Sequence, residues 1–142
     1  MTPSPLRIVR RLPARPEDVF DAWIDAESLR VWMCPGETRV AAVDVDARVG
    51  GSFRIVMRGA QGDVEHRGQY REIRRPQRLA FTWTSRHTAG RESLVTIELR
   101  ADGTGTELTL THAELPDEEA RRRHEAGWTS IVEKLAAHLT PR

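Results

Sequence analysis

Acid–base chemistry near neutral pH could come from only a few side chains in this sequence. There are five histidines, of which His66 follows Glu65 and His112 stands two residues before Glu114. Histidine titrates near neutrality, so either pairing offers an acid and a base. Strand alternation sets Glu65 on the face opposite His66, while Glu114 shares the face of His112 at the end of its run. Ser85 and His87 also share a strand face, but no G-x-S-x-G elbow surrounds the serine, so organised nucleophilic catalysis has no local signature. Cys34 is the only cysteine, which excludes an internal disulfide and any multi-cysteine zinc or iron–sulfur site. It reads as a small buried hydrophobe rather than a reactive thiol. The histidines are dispersed and no H-E-x-x-H helix is present, so neither a metal nor another cofactor is expected. Asp46–Gly51 contains two adjacent glycines but matches no phosphate-loop pattern, and it reads as a structural turn pinned by Asp46 and Arg48.

These groups need a sheet face to bring them together, and the pattern supplies one. Leu6 to Leu12 reads as a strand. Pro16 opens a helix whose stripe is Val19, Phe20, Trp23 and Ile24, and Asp25 is placed to cap a second short helix carrying Leu29 and Trp32. From Thr38 to Ala113 the signals are strands separated by turns: Val40–Val45, Ser52–Arg58, Val64–Ile73, Leu79–Ser85, Ser93–Leu99 and Thr106–His112. Short turns between consecutive strands make them antiparallel neighbours. Period-two alternation turns Ile55, Met57, His66, Tyr70, Phe81, Trp83, Val95, Ile97, Leu108, Leu110 and His112 to one face.

Behind them comes a long amphipathic segment, Pro116 to Leu139, with Asp117 as its N-cap. His124, Ile131, Val132, Leu135 and Leu139 fall in an apolar arc around Trp128, and Arg122, Arg123 and Glu133 fall opposite. The run Arg121-Arg122-Arg123 therefore reads as a solvated helix face. Gly127 inside this helix costs about 1 kcal/mol against alanine, which implies either close approach of another element or space left beside the indole, and for a helix set behind a meander the expected reading is relief for close packing at the pocket edge. The expected architecture is α+β: a curved antiparallel sheet of about seven strands, two short N-terminal helices and one long C-terminal helix enclosing a cavity.

The 142 residues suit one domain, 1–142 with its core at about 6–139. Net charge is +1, with both signs interspersed, so no nucleic-acid partner is expected. No apolar run is long enough for a signal peptide or a membrane span, so no membrane partner and a cytoplasmic location are expected. The near-absence of lysine points to a GC-rich bacterial genome. A homodimer through sheet edges or helices is open to such a domain.

Several motifs stand in one order: Pro16-Glu17-Asp18-Val19-Phe20-Asp21-Ala22-Trp23; Leu29, Trp32 and Pro35; Asp46-Ala47-Arg48-Val49-Gly50-Gly51-Ser52-Phe53; Gly68-Gln69-Tyr70-Arg71-Glu72-Ile73 with Pro76 and Leu79; Gly105-Thr106-Glu107-Leu108; and Gly127-Trp128 with Leu135. This series resembles the domain family named after the activator of Hsp90 ATPase, within the helix-grip superfamily of START and Bet v 1-like domains. The resemblance runs from about Leu6 to Leu139. It implies a sheet gripping the C-terminal helix around a cavity, and no single activity. The leading expectation is a site for an apolar or aromatic small molecule, lined by Trp32, Met57, His66, Tyr70, Phe81, Trp83, His112 and Trp128. The alternatives are a chaperone-regulating interaction module and a cyclase- or hydrolase-like enzyme using a pocket histidine.

Overall fold

The computed structural model describes residues 2–141. Strand β1 (Leu6–Leu12) is followed by helices α1 (Pro16–Ile24) and α2 (Ala26–Trp32). Strands β2 (Arg39–Val45), β3 (Ser52–Gly59), β4 (Gly62–Arg74), β5 (Arg78–Trp83), β6 (Ser93–Asp102) and β7 (Gly105–Ala113) follow, and helix α3 (Glu118–Leu139) comes last. The strands form one antiparallel sheet in the order β1-β7-β6-β5-β4-β3-β2. Six strands make the expected meander, and β1 returns to its far edge with Ile8 opposite Leu110. This is the helix-grip arrangement, with seven strands curved around α3.

Local chemistry explains where the helices begin. Pro16 occupies the first turn of α1, with Glu17 and Asp18 beside it at the positive end of the dipole. Asp25 has an extended backbone and separates α1 from α2, but its side chain makes no capping bond. Its carbonyl instead accepts from Leu29 N at 2.9 Å. The Asp117 side chain does cap α3, accepting from Ala120 N at 2.8 Å.

The alternation holds along the meander: every residue expected on the inner face, from Ile55 to His112, is buried. The outer face carries cross-strand ion pairs, Glu65 with Arg54, Asp63 with Arg58, and Arg78 with Glu72 and Glu98, and Glu65 also pairs with Arg67 along β4. The interspersed charges thus resolve into pairs along the strands. Glu65 is held down to about 2 by hydrogen bonds from Arg67 and Arg54, so it stays an outward ion-pair partner rather than an acid for His66.

The turn Asp46–Gly51 is a structural clamp. Arg48 Nε donates to Asp46 Oδ2 at 2.9 Å, Gly50 N donates to Tyr70 O at 2.8 Å, and Tyr70 N donates to Gly51 O at 2.9 Å. It grips β4 where the pairing with β5 shifts between Tyr70 and Glu72, a bulge that bends the sheet. Nearby, Gly68 lets β5 and Phe53 approach: a Cβ there would lie 2.0 Å from Thr82 O and 2.3 Å from the Phe53 ring.

One element departs from the sequence pattern. β5 ends at Trp83, and Arg86–Thr88 forms a short 3-10 helix instead of continuing the strand face of Ser85 and His87. Ser85 Oγ accepts from His87 N, and Thr88 Oγ1 accepts from Ser85 N, a reciprocal cap that turns the chain.

Candidate functional site: a cleft beside the central helix

Most of the space between the sheet and α3 is filled by aromatic rings. Trp83 of β5 and Trp128 of α3 meet with ring centroids 5.0 Å apart, and Trp23 of α1 lies 6.2 Å from Trp128. A narrow void among Trp23, Phe53, Tyr70, Phe81 and Trp83 holds about 10 Å³, room for one water molecule at most.

Open space lies beside the two indoles rather than between them. A cleft of about 160 Å³ is bounded by Met57, His66, Trp83, Trp128 and Ile131, with Gly127 in its helical wall. It adjoins an outer basin of about 280 Å³ edged by the β3–β4 turn (residues 59–62), Thr38, Arg86 and His87. Both parts share Pro35, Met57, His66, His87 and Arg123, so they form one site with an inner apolar end and a polar mouth. Gly127 decides the shape of the inner wall. A Cβ built on it meets nothing within 4 Å, so the expectation of close packing at Gly127 is corrected: the glycine leaves space beside the indole and relieves no close contact.

The walls are held by identifiable bonds. Gly36 N donates to Ser130 Oγ at 2.7 Å, tying the loop that carries Pro35 to α3. The Ser85/Thr88 cap fixes the loop that presents Arg86 and His87. His124 Nδ1 donates to Ala120 O at 2.7 Å, one turn back along α3.

Behind the cleft runs a directed hydrogen-bond chain. Trp128 Nε1–H can only donate, and it reaches His112 Nδ1 at 2.9 Å. His112 therefore carries its proton on Nε2 and donates it to Ser93 Oγ at 2.7 Å, and the Ser93 hydroxyl donates to Trp83 O at 2.6 Å. Burial, reinforced by His124, pushes His112 down to about 3, which agrees with a neutral ring.

The electrostatics of the cleft are one-sided. His66, His87, His124, Arg86 and Arg123 line it, and no Asp or Glu does. Burial, with a smaller contribution from His87, pushes His66 down to about 4. His87 is lowered by burial and then by Arg123 and Arg86, and His124 is lowered chiefly by burial. Two of the lining residues, His66 and Trp83, only 6% and 2% exposed, each carry a buried ring nitrogen, Nδ1 and Nε1, with no partner among the described residues. Such atoms are costly to leave unpaired.

Of the residues expected to contact a ligand, Met57, His66, Trp83 and Trp128 line this cleft. Tyr70 and Phe81 line the narrow void with Trp83, and burial raises the Tyr70 phenol above its ordinary value. Trp32 is fully buried, packs edge-on against Trp23 at 4.7 Å and donates from its indole N–H to Ser28. His112 is fully buried behind Trp128 with both ring nitrogens engaged, and Glu114 lies in a groove on the outer face with Arg71 and Arg78. Cys34 is buried, with Lys134 Nζ at 3.5 Å from its sulfur.

The pattern missed the mouth: Arg86, His87 and Arg123. The Ser85-x-x-Thr88 cap was the one signal that could have moved His87 from a strand to a turn. Arg123, assigned to the solvated side of α3, is exposed but stands at the rim of the cleft. Among the described residues no group of three or more His, Cys, Asp or Glu side chains could hold a metal ion. No described helix is long and apolar enough to cross a membrane.

Solved bacterial structures share this architecture. A Chromobacterium violaceum protein superposes with a TM-score of 0.89 at 26% identity, over 97% of this chain and 98% of its own. A Silicibacter pomeroyi protein bearing the activator-of-Hsp90-ATPase family name is 35% identical, with a TM-score of 0.84 over 96% and 97% of the two chains. A Rhizobium loti protein is 31% identical, with a TM-score of 0.74 over 96% of each. A search of curated proteins gave no match. The family model described as Activator of Hsp90 ATPase homolog 1-like protein matches residues 13–140, nearly the whole fold, and the chain belongs to that family.

Proposed function

We propose that this domain binds an apolar or aromatic small molecule in the cleft between β3–β5 and α3. The observation that carries this reading is the open volume beside Gly127 and Trp128, bounded by Met57, Trp83 and Ile131 with His66, His87 and His124 among the lining residues. An apolar wall with a few unsatisfied polar groups is the usual form of a small-molecule site. The inner 160 Å³ compares with the roughly 150 Å³ of an engineered cavity that takes up benzene, so the part of the ligand beside Trp128 is about one ring in size. Met57, Trp83 and Trp128 supply the contact surface, and His66 and Trp83 orient a polar group. Tyr70, Phe81, Trp32 and His112 support those walls from behind.

Binding is favoured over catalysis by the same geometry. His66 near 4 is a weak base at neutral pH, and no carboxylate lines the cleft to activate it. A cytosolic setting accords with the unpaired Cys34. The test is a thermal-shift panel of aromatic and aliphatic compounds on the native chain and on Gly127→Leu, whose side chain would occupy the cleft. Binding raises the native melting temperature and leaves that of Gly127→Leu unchanged. Equal shifts in both proteins would place the ligand elsewhere.

A further inference from the structure

Two of the six described arginines without an acidic partner stand at the mouth of this cleft. Among the described residues, fourteen arginines have an Asp or Glu oxygen within 4 Å. Arg86 and Arg123 are not among them, and neither side chain makes a hydrogen bond within the protein. They come from separate elements, the 3-10 helix after β5 and the first half of α3, yet border the same opening. Two guanidinium groups and His87 therefore face an entrance that no carboxylate lines.

Two arginines that border one opening with no carboxylate beside them leave their donors free for a bound anion. We infer that the ligand is an aromatic or apolar carboxylic acid, bound as its anion, with the carboxylate at Arg86 and Arg123 and its apolar body against Met57, Trp83, Trp128 and Ile131. This assignment rests on the small-molecule reading of the cleft and specifies its substrate class. The orientation follows from the order of the walls, cationic at the mouth and apolar at Gly127. The three lining histidines are all lowered by burial and so add little positive charge of their own near neutral pH, which leaves recognition of the anion to the two arginines.

Matched acid–amide pairs test the assignment, because each pair has nearly the same shape and differs in charge. 3-Phenylpropanoate, 2-naphthoate, 4-hydroxybenzoate and octanoate, each beside its primary amide, are titrated into the native chain and into Arg86→Gln/Arg123→Gln, with binding read by tryptophan fluorescence and calorimetry. In the native chain the acids bind at least roughly tenfold tighter than the amides, the size of a charge-assisted contact at a partly solvated site, and this margin shrinks with added salt. In the double variant the margin disappears while amide affinity is retained. Equal affinity of acid and amide for the native chain, or a margin that survives in the double variant, overturns the anion assignment and leaves the apolar cleft standing. If Gly127→Leu binds the probes as tightly as the native chain, or if no acid or amide binds, the cleft reading fails and the assignment fails with it.

Discussion

Gly127 sets the volume of the cleft at the cost of helix stability. Its backbone is helical and the space beside it is empty, so Gly127→Ala adds one methyl without a clash and removes the entropic penalty of glycine. The expected result is a gain of about 0.5–1 kcal/mol in urea unfolding. A loss would mean that the helix is strained at this point. Trp128 has two roles, since its ring walls the cleft and its N–H orients His112. Trp128→Phe keeps much of the ring but leaves His112 Nδ1 buried without a donor, so unfolding free energy should fall by about 1–3 kcal/mol. A double-mutant cycle with Ser93→Ala should show coupling, because both changes act on one imidazole.

At the scale of elements, the cleft depends on a loop and a helix that share no hydrogen bond across the opening. The Ser85/Thr88 cap shapes the loop from within, so Ser85→Ala with Thr88→Val should loosen Arg86 and His87. The expected loss in stability is about 1–2 kcal/mol, with weaker binding of acids and little change for amides, measured by paired titrations. The curved sheet has its own sensitive point at Gly68. A methyl there would overlap Thr82 O and the Phe53 ring, and neither backbone nor packed ring can move aside. Gly68→Ala is expected to cost about 3 kcal/mol or more, seen as a lowered urea midpoint or failure to fold. Asp25 shows the limit of capping rules: its side chain stays unbonded while its backbone makes the turn between α1 and α2.

For the whole molecule, buried neutral histidines make stability depend on pH. His66 near 4 and His112 near 3 stay unprotonated in the fold at pH values where the unfolded chain, near 6.5, takes up protons. Stability is therefore full above about 6.5 and falls as pH drops towards the folded values, by on the order of 3 kcal/mol for His66 and about 5 kcal/mol for His112 over the full range. Urea midpoints should decline steadily from pH 7 to pH 5, and less steeply in His66→Phe. A flat profile over that interval would show that these rings accept protons without unfolding. The ion pairs do not set the decline between pH 7 and pH 5, since the lowered carboxylates, Glu65 and Asp63 on the outer face and Asp21 on α1, titrate below that interval.

Periodicity alone determined the strands apart from the end of β5, the inward set from Ile55 to His112 and the apolar arc around Trp128, because burial of one face imposes a repeat that any sequence folding this way must show. It also determined that Asp46–Gly51 is a turn and that Asp117 starts the last helix, since those depend on neighbours in the chain. Tertiary structure alone decided which inward residues touch open space. His66 and His112 have the same alternation, yet one lines the cleft and the other is locked behind Trp128, because depth along the sheet depends on how α3 lies across it. Gly127 read from sequence as relief for close packing, and only the absence of any atom near its missing side chain showed it to be empty space instead. The cationic mouth was illegible for the same reason: Arg86 and Arg123 lie 37 positions apart in the chain, and no local pattern records that the fold brings them to one opening.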